Sequence, residues 1–285
     1  MAVTNFQQTI WSKQIEKSLN KITSLRNHCD FKHQSESADA KEIKILNVTR
    51  PTIRTYVPGT ALTREGATDG SMLLQINQFK YFDFEVDDVD KAQSVPGLME
   101  ALSDEASKGL AQEGDKYVAS LVKAGVEAVS NALPQSSSVI TLTKANAVSS
   151  VEDGFTSLYE NDVPVNATMY LEVSPKAFTT YRQALTELST NNPDVIKKGA
   201  VGKINNAYVC IENLLPTGKS SGSQATDDVD YNILRTDKAI DFVEQINKVE
   251  AYRPQDAFSD AIKGLYTFGA LITRPNEIYV IKTAK

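Results

Sequence analysis

FKYFDFEVDDVD, residues 79–90, opens the stretch that decides the fold, and LMEALSDEASKGLAQEGDKYVASLVKAGVEAVSN follows it at residues 98–131. Successive side chains of a strand point to opposite faces, so in residues 79–90 the apolar side chains fall on one face and the acidic side chains on the other. The apolar face holds Phe82, Phe84 and Val86, and the acidic face holds Asp83, Glu85 and Asp87. This pattern predicts a half-buried strand.

The second part of the stretch has the spacing of a long helix with one apolar stripe. The predicted stripe is Leu98, Leu102, Ala106, Leu110, Tyr117, Leu121 and Val129. Ser94 is a suitable cap, and Pro96 suits a first turn, where its missing N–H costs nothing. Such a helix would be roughly 50 Å long at 1.5 Å per residue, which is longer than a compact domain needs.

The rest of the chain alternates between strand and helix signals, which favours a mixed α and β fold. Residues 4–25 have the spacing of a short amphipathic helix, and residues 28–40 are polar and read as a linker. Strands are predicted at 42–48, 52–57 and 72–86, and the first and last of these frame a long hairpin whose glycine-containing tip is TREGATDG. Ser174-Pro175 is predicted to start a helix.

The run QFKYFDFEVDDVDKAQS, leading into LMEALSDEASKGLAQEGDKYVASLV, resembles tailed-phage major capsid proteins of the Hong Kong 97 type. The resemblance is to the podovirus-type coat branch, whose members assemble around a separate scaffold. It covers nearly the whole chain, and its specific parts are residues 82–93, 162–175, 199–216 and 258–275. It implies an α+β fold in which the stretch above joins an extended loop to a spine helix.

The resemblance also implies a division of the chain into four regions. Residues 1–41 would be an N-terminal arm, and residues 42–90 an extended β-hairpin loop that lies across a neighbouring subunit. Residues 91–144 and 251–285 would form a peripheral domain with the spine helix, and residues 145–250 an axial α/β domain.

The sequence departs from the family's pattern at two points. Asn206 stands where a glycine is expected before an aromatic residue, so the geometry of that turn is open. The length also leaves no room for the large inserted domain of some podovirus-type coats, or for an N-terminal scaffold segment of order a hundred residues.

Composition excludes several classes of protein. The chain has 285 residues, of which 41% are hydrophobic and 23% charged, and no apolar run approaches the roughly 20 residues of a membrane span. We expect no secretion signal and a cytoplasmic product, in which Cys29 and Cys210 stay reduced. The net charge of −6 argues against sequence-specific DNA binding, which needs clustered Lys and Arg.

Three groups of residues resemble metal-binding or phosphate-binding sites, but each lacks a feature that such a site requires. Asp83, Glu85, Asp87, Asp88 and Asp90 lie along a strand with no loop to curl them around a cation. His28, Cys29 and His33 lack the spacing of a zinc site. Thr217-Gly218-Lys219-Ser220 lacks the first glycine of a phosphate-binding loop, because Asn213 stands at that position. We therefore expect no catalytic residues, no metal and no cofactor.

The resemblance implies a structural function, as the subunit of a phage head. Copies would form pentamers and hexamers of an icosahedral shell that encloses double-stranded DNA without reading its sequence. A scaffolding protein and a portal are the expected partners, and the protein would be assembled in the host cytoplasm and end in the virion. The predicted subunit-contact residues are Trp11, Arg54, Arg64, Phe82, Phe84, Asp87 and Asp88.

Two alternatives remain open from the sequence. An encapsulin-like compartment has the same fold and loads cargo proteins. A soluble enzyme with a metal-dependent acidic site is the alternative from another class.

Overall fold

The computed structural model describes residues 25–36, 41–48, 52–56, 58–59, 61, 69–87, 98–128, 133–187, 202–218, 228–255 and 258–285. The helices of this part are α1 (Leu98–Glu127), α2 (Ala147–Glu160) and α3 (Pro175–Glu187). The strands are β1 (Glu42–Val48), β2 (Asp69–Gln75), β3 (Gln78–Asp87), β4 (Met169–Val173), β5 (Lys203–Ile204), β6 (Ala207–Ile211), β7 (Thr217–Gly218), β8 (Val229–Thr236), β9 (Ile240–Tyr252), β10 (Ser259–Ile272) and β11 (Ile278–Ala284). Short 3-10 helices lie at Arg26–His28, Gln34–Glu36 and Pro275–Glu277.

The long helix α1 lies against an antiparallel sheet of three strands in the order β3-β10-β9. The core between them contains Val118 and Val122 from α1, with Phe242 and Phe268 from the sheet. In β3 the predicted alternation is confirmed, because Val86 is buried and Asp83 is exposed. This layer holds the central apolar cluster of the described residues.

A second sheet has the order β11-β8-β4-β6-β5, and β7 pairs with β8 beside it. Helices α2 and α3 cover one face of this sheet, with Phe155, Tyr181 and Leu171 in the core between them. The predicted start of α3 is confirmed, since the N–H of Ala177 donates to Ser174 Oγ over 3.4 Å. That bond satisfies one of the free N–H groups of the first turn.

Strands β1 and β2 form a separate two-stranded antiparallel ribbon. Its inner face packs through Ile43, Leu74 and Ile76 onto Val243 of β9. The backbone of the chain leaving the ribbon comes so close to β10 that a side chain at Gly269 would meet the carbonyl oxygen of Gln75 at 2.2 Å. Only glycine permits this crossing.

The prediction of one long strand over residues 72–86 is wrong. The chain pairs with β1 up to Gln75 and with β10 from Gln78 onward, so two strands of different sheets replace it. The prediction of a strand at 52–57 is also wrong for residues 52–56, which have no regular secondary structure. The alternation of apolar and polar residues predicts which side chains face a core, but it does not predict where the chain passes from one sheet to another.

At the start of the long helix, the predicted apolar stripe does not lie on the side of the helix that is buried. Leu102 is 38% exposed, whereas Ser103, Ser107 and Asp115 are buried. The buried side of α1 includes these small or polar residues, and a count of large apolar residues misses them.

We therefore expect Leu102→Asp to leave the chain folded and to change the free energy of unfolding by less than about 1 kcal/mol. Val118→Asp, a matched change on the buried side of the same helix, should prevent folding, because Val118 is 0% exposed and a buried unpaired charge costs several kcal/mol. Circular dichroism and denaturant unfolding of both variants test which side of α1 is buried. An equal loss in the free energy of unfolding from the two substitutions would contradict the assignment of Val118 to the buried side and Leu102 to the exposed side.

The division into arm, loop, peripheral and axial regions stays a prediction. Strand pairing joins segments that were assigned to different regions. Strand β9, mostly within residues 145–250, pairs with β10, and β11, from the C-terminal segment, pairs with β8. Over the part of the chain that is described, no helix has the combination of length and apolar composition that a membrane crossing requires.

Candidate subunit interface

The outer face of the ribbon exposes two leucines among polar side chains. Leu46 of β1 is 67% exposed and Leu73 of β2 is 44% exposed, and the register places them on the same face around Lys44. Ile53 and Tyr56, in the segment of the chain between β1 and β2, are also exposed. A two-stranded ribbon with apolar groups on both faces is stable in water only when something covers it.

The outer face of the three-stranded sheet also exposes apolar side chains. Phe79 and Tyr81 of β3 are 62% and 78% exposed, and Tyr81 lies directly opposite Leu265 of β10. Further along the same face, the hydroxyl of Tyr252 donates to Asp83 Oδ2 over 3.0 Å. One end of the face is therefore apolar and the other is polar and hydrogen-bonded.

Phe82 and Phe84 lie on the opposite, core-facing side of β3. Both are half-buried and pack against the cluster beneath α1, with their ring centroids 5.8 Å apart. A side chain at Gly264, directly opposite on β10, would meet the Phe82 ring at 2.4 Å, so that glycine makes room for the ring. These two predicted contact residues contribute to the core of their own subunit, and their contact role stays a prediction.

The other predicted contact residues divide between exposed and undescribed positions. Arg54 and Asp87 are exposed. Trp11, Arg64 and Asp88 lie outside the described residues. Sequence reasoning missed Phe79 and Tyr81, although the alternation that places Asp83 outward also places them outward. It also missed Leu46 and Leu73.

The segment 25–36, called the strap below, holds the two layers of the fold together. The N–H of Arg26 donates to Asp115 Oδ1 of α1 over 2.9 Å, and its guanidinium forms an ion pair with Glu244 of β9. The N–H of Asp30 donates to the carbonyl of Ile240 over 2.9 Å. The prediction that residues 28–40 form a linker is therefore wrong for its described part, because these contacts join residues far apart in the sequence.

Arg235 of β8 fixes the strap to the six-stranded sheet. It is fully buried, and its Nη2 donates to the Leu25 carbonyl and to Glu172 Oε1, both over 2.7 Å. Its Nε also contacts Glu172, and its Nη1 donates to the His28 carbonyl over 3.2 Å. A buried guanidinium needs this number of acceptors, since an unpaired buried charge is strongly unfavourable.

The charges around Arg235 stabilise one another. Burial alone raises the pKa of Glu172, but the charge of Arg235 and the hydrogen bond from His28 hold that pKa below its usual value. Burial lowers the pKa of His28, and the hydrogen bonds to Cys210 and Glu172 outweigh it and raise that pKa to about 9. His28 is therefore an imidazolium at neutral pH.

In the described part of the chain, the residues whose sequence pattern resembled a metal-binding site do not come together around one point. Asp83 and Glu85 accept hydrogen bonds from Tyr252 and Ser259 along β3. The Cys29 thiol donates to a backbone carbonyl, and the side-chain partners of His33, Glu36 and Asp241, differ from those of His28. No group of three potential metal ligands is found within the described ranges.

Asn205 and Asn206 form the turn between β5 and β6 where a glycine was expected. Asn205 adopts the left-handed conformation, with φ of 49°, which asparagine tolerates better than most residues. The Asn206 side chain donates to the carbonyl of Ala167 over 3.0 Å. The turn is therefore built without glycine.

Similar solved structures come from phages and related particles. A structure from Mycobacterium phage Che8 has a TM-score of 0.76 and 23% identity, covering 91% of this chain and 90% of that chain. The capsid structure of cyanophage P-SCSP1u has a TM-score of 0.72 and 16% identity, covering 87% and 85%. The virus-like particle from Pyrococcus furiosus has a TM-score of 0.60 and 11% identity, covering 96% and 99%.

No protein-family model and no curated protein matches the sequence. The structural similarity extends over nearly the full length of both chains in each comparison, so it concerns the whole arrangement of sheets and helices. As the resemblance to the Hong Kong 97-type family predicted, the chain has the α+β fold of phage capsid proteins.

Proposed function

We propose that this chain is a major capsid protein whose copies assemble as pentamers and hexamers into an icosahedral phage head that encloses double-stranded DNA. The observation that carries the proposal is the match of the whole fold to phage capsid structures. Apolar surface that one copy leaves uncovered, on the ribbon and on the outer face of the β3-β10-β9 sheet, supports it. Surfaces of this kind mark contacts between proteins.

In this proposal, α1 is the spine helix and the ribbon belongs to the extended loop. The inner face of the ribbon is anchored on Val243 of its own subunit, while Leu46 and Leu73 face away from it. The outer face would lie on a neighbouring copy, which would remove these leucines from water at about 25 cal/mol per Å² of apolar area. A shell repeats that contact in every subunit, so a modest energy per contact suffices.

The charge of the chain suits a container for DNA. A net charge of −6 gives no excess of Lys and Arg to neutralise phosphates, so any binding of duplex DNA should be weak and should disappear near physiological salt. A scaffolding protein and a portal would complete assembly in the host cytoplasm, and the subunit would remain in the virion. The proposed role requires no catalysis.

An encapsulin-like compartment is the second candidate, and the match to the Pyrococcus furiosus virus-like particle favours it. The match to the phage structures is better, which favours the phage head. The contents of the particle separate the two functions, since a phage head holds duplex DNA and a compartment holds protein cargo. A metal-dependent enzyme has no supporting geometry within the described residues.

Electron microscopy and sedimentation of the chain expressed with and without its neighbouring genes test the proposal. We expect closed particles or ring-shaped capsomers, and nuclease-resistant duplex DNA in particles made during infection. A protein that stays monomeric at high concentration, under every salt and scaffold condition tried, would contradict it.

A further inference from the structure

We propose that Cys210 is a nucleophilic thiol, activated by His28, and a site of reversible modification by small-molecule disulfides. The proposed capsid function does not require this property. It rests on a group of side chains that the register of the six-stranded sheet and the position of the strap bring together.

The sheet places the nucleophile and the carboxylate side by side. Strands β4 and β6 are parallel, and their register sets Glu172 directly beside Cys210. Tyr170 and Tyr208, two residues earlier on each strand, occupy the same face. The strap covers this face, and its His28 ring stacks on Tyr170 with 3.9 Å between the ring centroids.

His28 bridges the other two groups. Its Nδ1 lies 2.9 Å from Glu172 Oε1, and its Nε2 lies 3.8 Å from Cys210 Sγ. A carboxylate that fixes one ring nitrogen, while the other nitrogen faces a thiol, is the arrangement by which proteins activate cysteine. Glu172 is a positioning residue here, and His28 is the group that touches the reacting sulfur.

The charge of the Glu172 carboxylate is balanced by Arg235 as well as by His28. Arg235 contacts both oxygens of Glu172, so the carboxylate charge is already compensated by a guanidinium. Other titratable side chains around the site include Tyr170, Tyr208, Glu212, Asp237 and Lys203, whose ammonium lies over the Tyr208 ring. A position beside a cationic group is typical of reactive cysteines in proteins.

Cys210 is also accessible, and Cys29 is not. Cys210 is half-buried and lies beyond the part of β6 that pairs with β5, with the exposed Ile211 next to it. Cys29, which belongs to the strap itself, is buried. The chain therefore contains a reactive candidate and an internal unreactive reference.

The reaction is thiol–disulfide exchange. The Cys210 thiolate attacks one sulfur of the small disulfide, a new S–S bond forms as the old one breaks, and the departing thiolate takes a proton from the His28 imidazolium or from water. The disulfide is the oxidant. The products are a mixed disulfide at Cys210 and one free small thiol.

The test uses the intact protein and 4,4′-dithiodipyridine at about pH 6.5, below the pKa of about 8.5 of an ordinary thiol. We expect Cys210 to react about tenfold faster in the folded protein than in the same chain unfolded in urea. His28→Gln should remove that advantage, and Cys210→Ser should abolish the fast reaction. Mass spectrometry locates the adduct, and unmodified Cys29 in His28→Gln shows that the strap has stayed in place.

Partial burial alone makes a thiol react more slowly than its unfolded counterpart, so the comparison with the unfolded chain separates activation from exposure. Folded Cys210 that reacts no faster than unfolded Cys210 would overturn the proposal. So would a His28→Gln protein that keeps the parent rate while Cys29 remains protected. If His28→Gln does not fold, the comparison of the folded and unfolded parent decides alone.

Discussion

Arg235→Ala is expected to lower the free energy of unfolding by about 3–5 kcal/mol, the usual cost of removing one partner from a buried ion pair. The guanidinium is fully buried, pairs with Glu172 and binds the carbonyls of Leu25 and His28. The substitution therefore removes the donor to two carbonyls, and it leaves the buried Glu172 carboxylate with the hydrogen bond from His28 but without its guanidinium partner. Denaturant unfolding of the purified chain measures the loss.

Arg274→Ala is the matched control, because Arg274 forms an exposed ion pair with Glu277. Exposed pairs contribute only about 0–1 kcal/mol, so this variant should unfold close to the parent. Glu172→Ala should be damaging as well, and the double variant should lose less than the sum of the single losses. A loss below about 1 kcal/mol for Arg235→Ala would show that the strap is not fixed by this charge.

Paired substitution of Leu46→Glu and Leu73→Glu is expected to abolish shell formation while leaving the subunit folded. Both leucines are exposed on the outer face of the ribbon, so charges there remain in water in the free subunit and change its stability by about 0.5 kcal/mol or less at each position. In a shell, the same charges would be buried against a neighbour, at a cost of several kcal/mol per copy. Sedimentation and thermal unfolding measure the two effects separately.

Two variants nearby sharpen the interpretation of that experiment. Lys44→Glu adds negative charge between the two leucines without removing apolar surface, and should weaken assembly less. Ile43→Glu, on the buried inner face, should instead damage the subunit itself. Normal shells from the doubly substituted protein would mean that this face of the ribbon is not buried between subunits.

Local patterns in the sequence predicted the elements whose geometry is local. Alternation identified the apolar face of β3, helical spacing identified α1, and Ser174-Pro175 identified the start of α3. Each of these depends on residues a few positions apart, and propensity and capping act over that range.

The strap could not be predicted in the same way. Its residues are polar and look like a linker, yet Arg26 contacts Asp115, 89 positions away, and His28 contacts Glu172, 144 positions away. Buried polar groups are stable only through partners that the fold supplies. For the same reason, Asp115 on the buried side of α1 carried no signal in the sequence.

The exposed apolar surface was partly predictable. The alternation that separated Phe82 from Asp83 also placed Phe79 and Tyr81 on the solvent side, and the predicted contact residues Phe82 and Phe84 lie on the core side instead. Which apolar residues remain uncovered depends on which elements pack on each sheet face, and that is a property of the tertiary structure.

A cryo-electron microscopy reconstruction of the particles that this chain forms tests the central claim most directly. The proposal predicts a closed icosahedral shell of pentamers and hexamers, in which the β1–β2 ribbon of each subunit lies on a neighbour and covers Leu46 and Leu73. Particles in which this ribbon touches no other subunit, or a protein that forms no closed shell under any assembly condition, would contradict it.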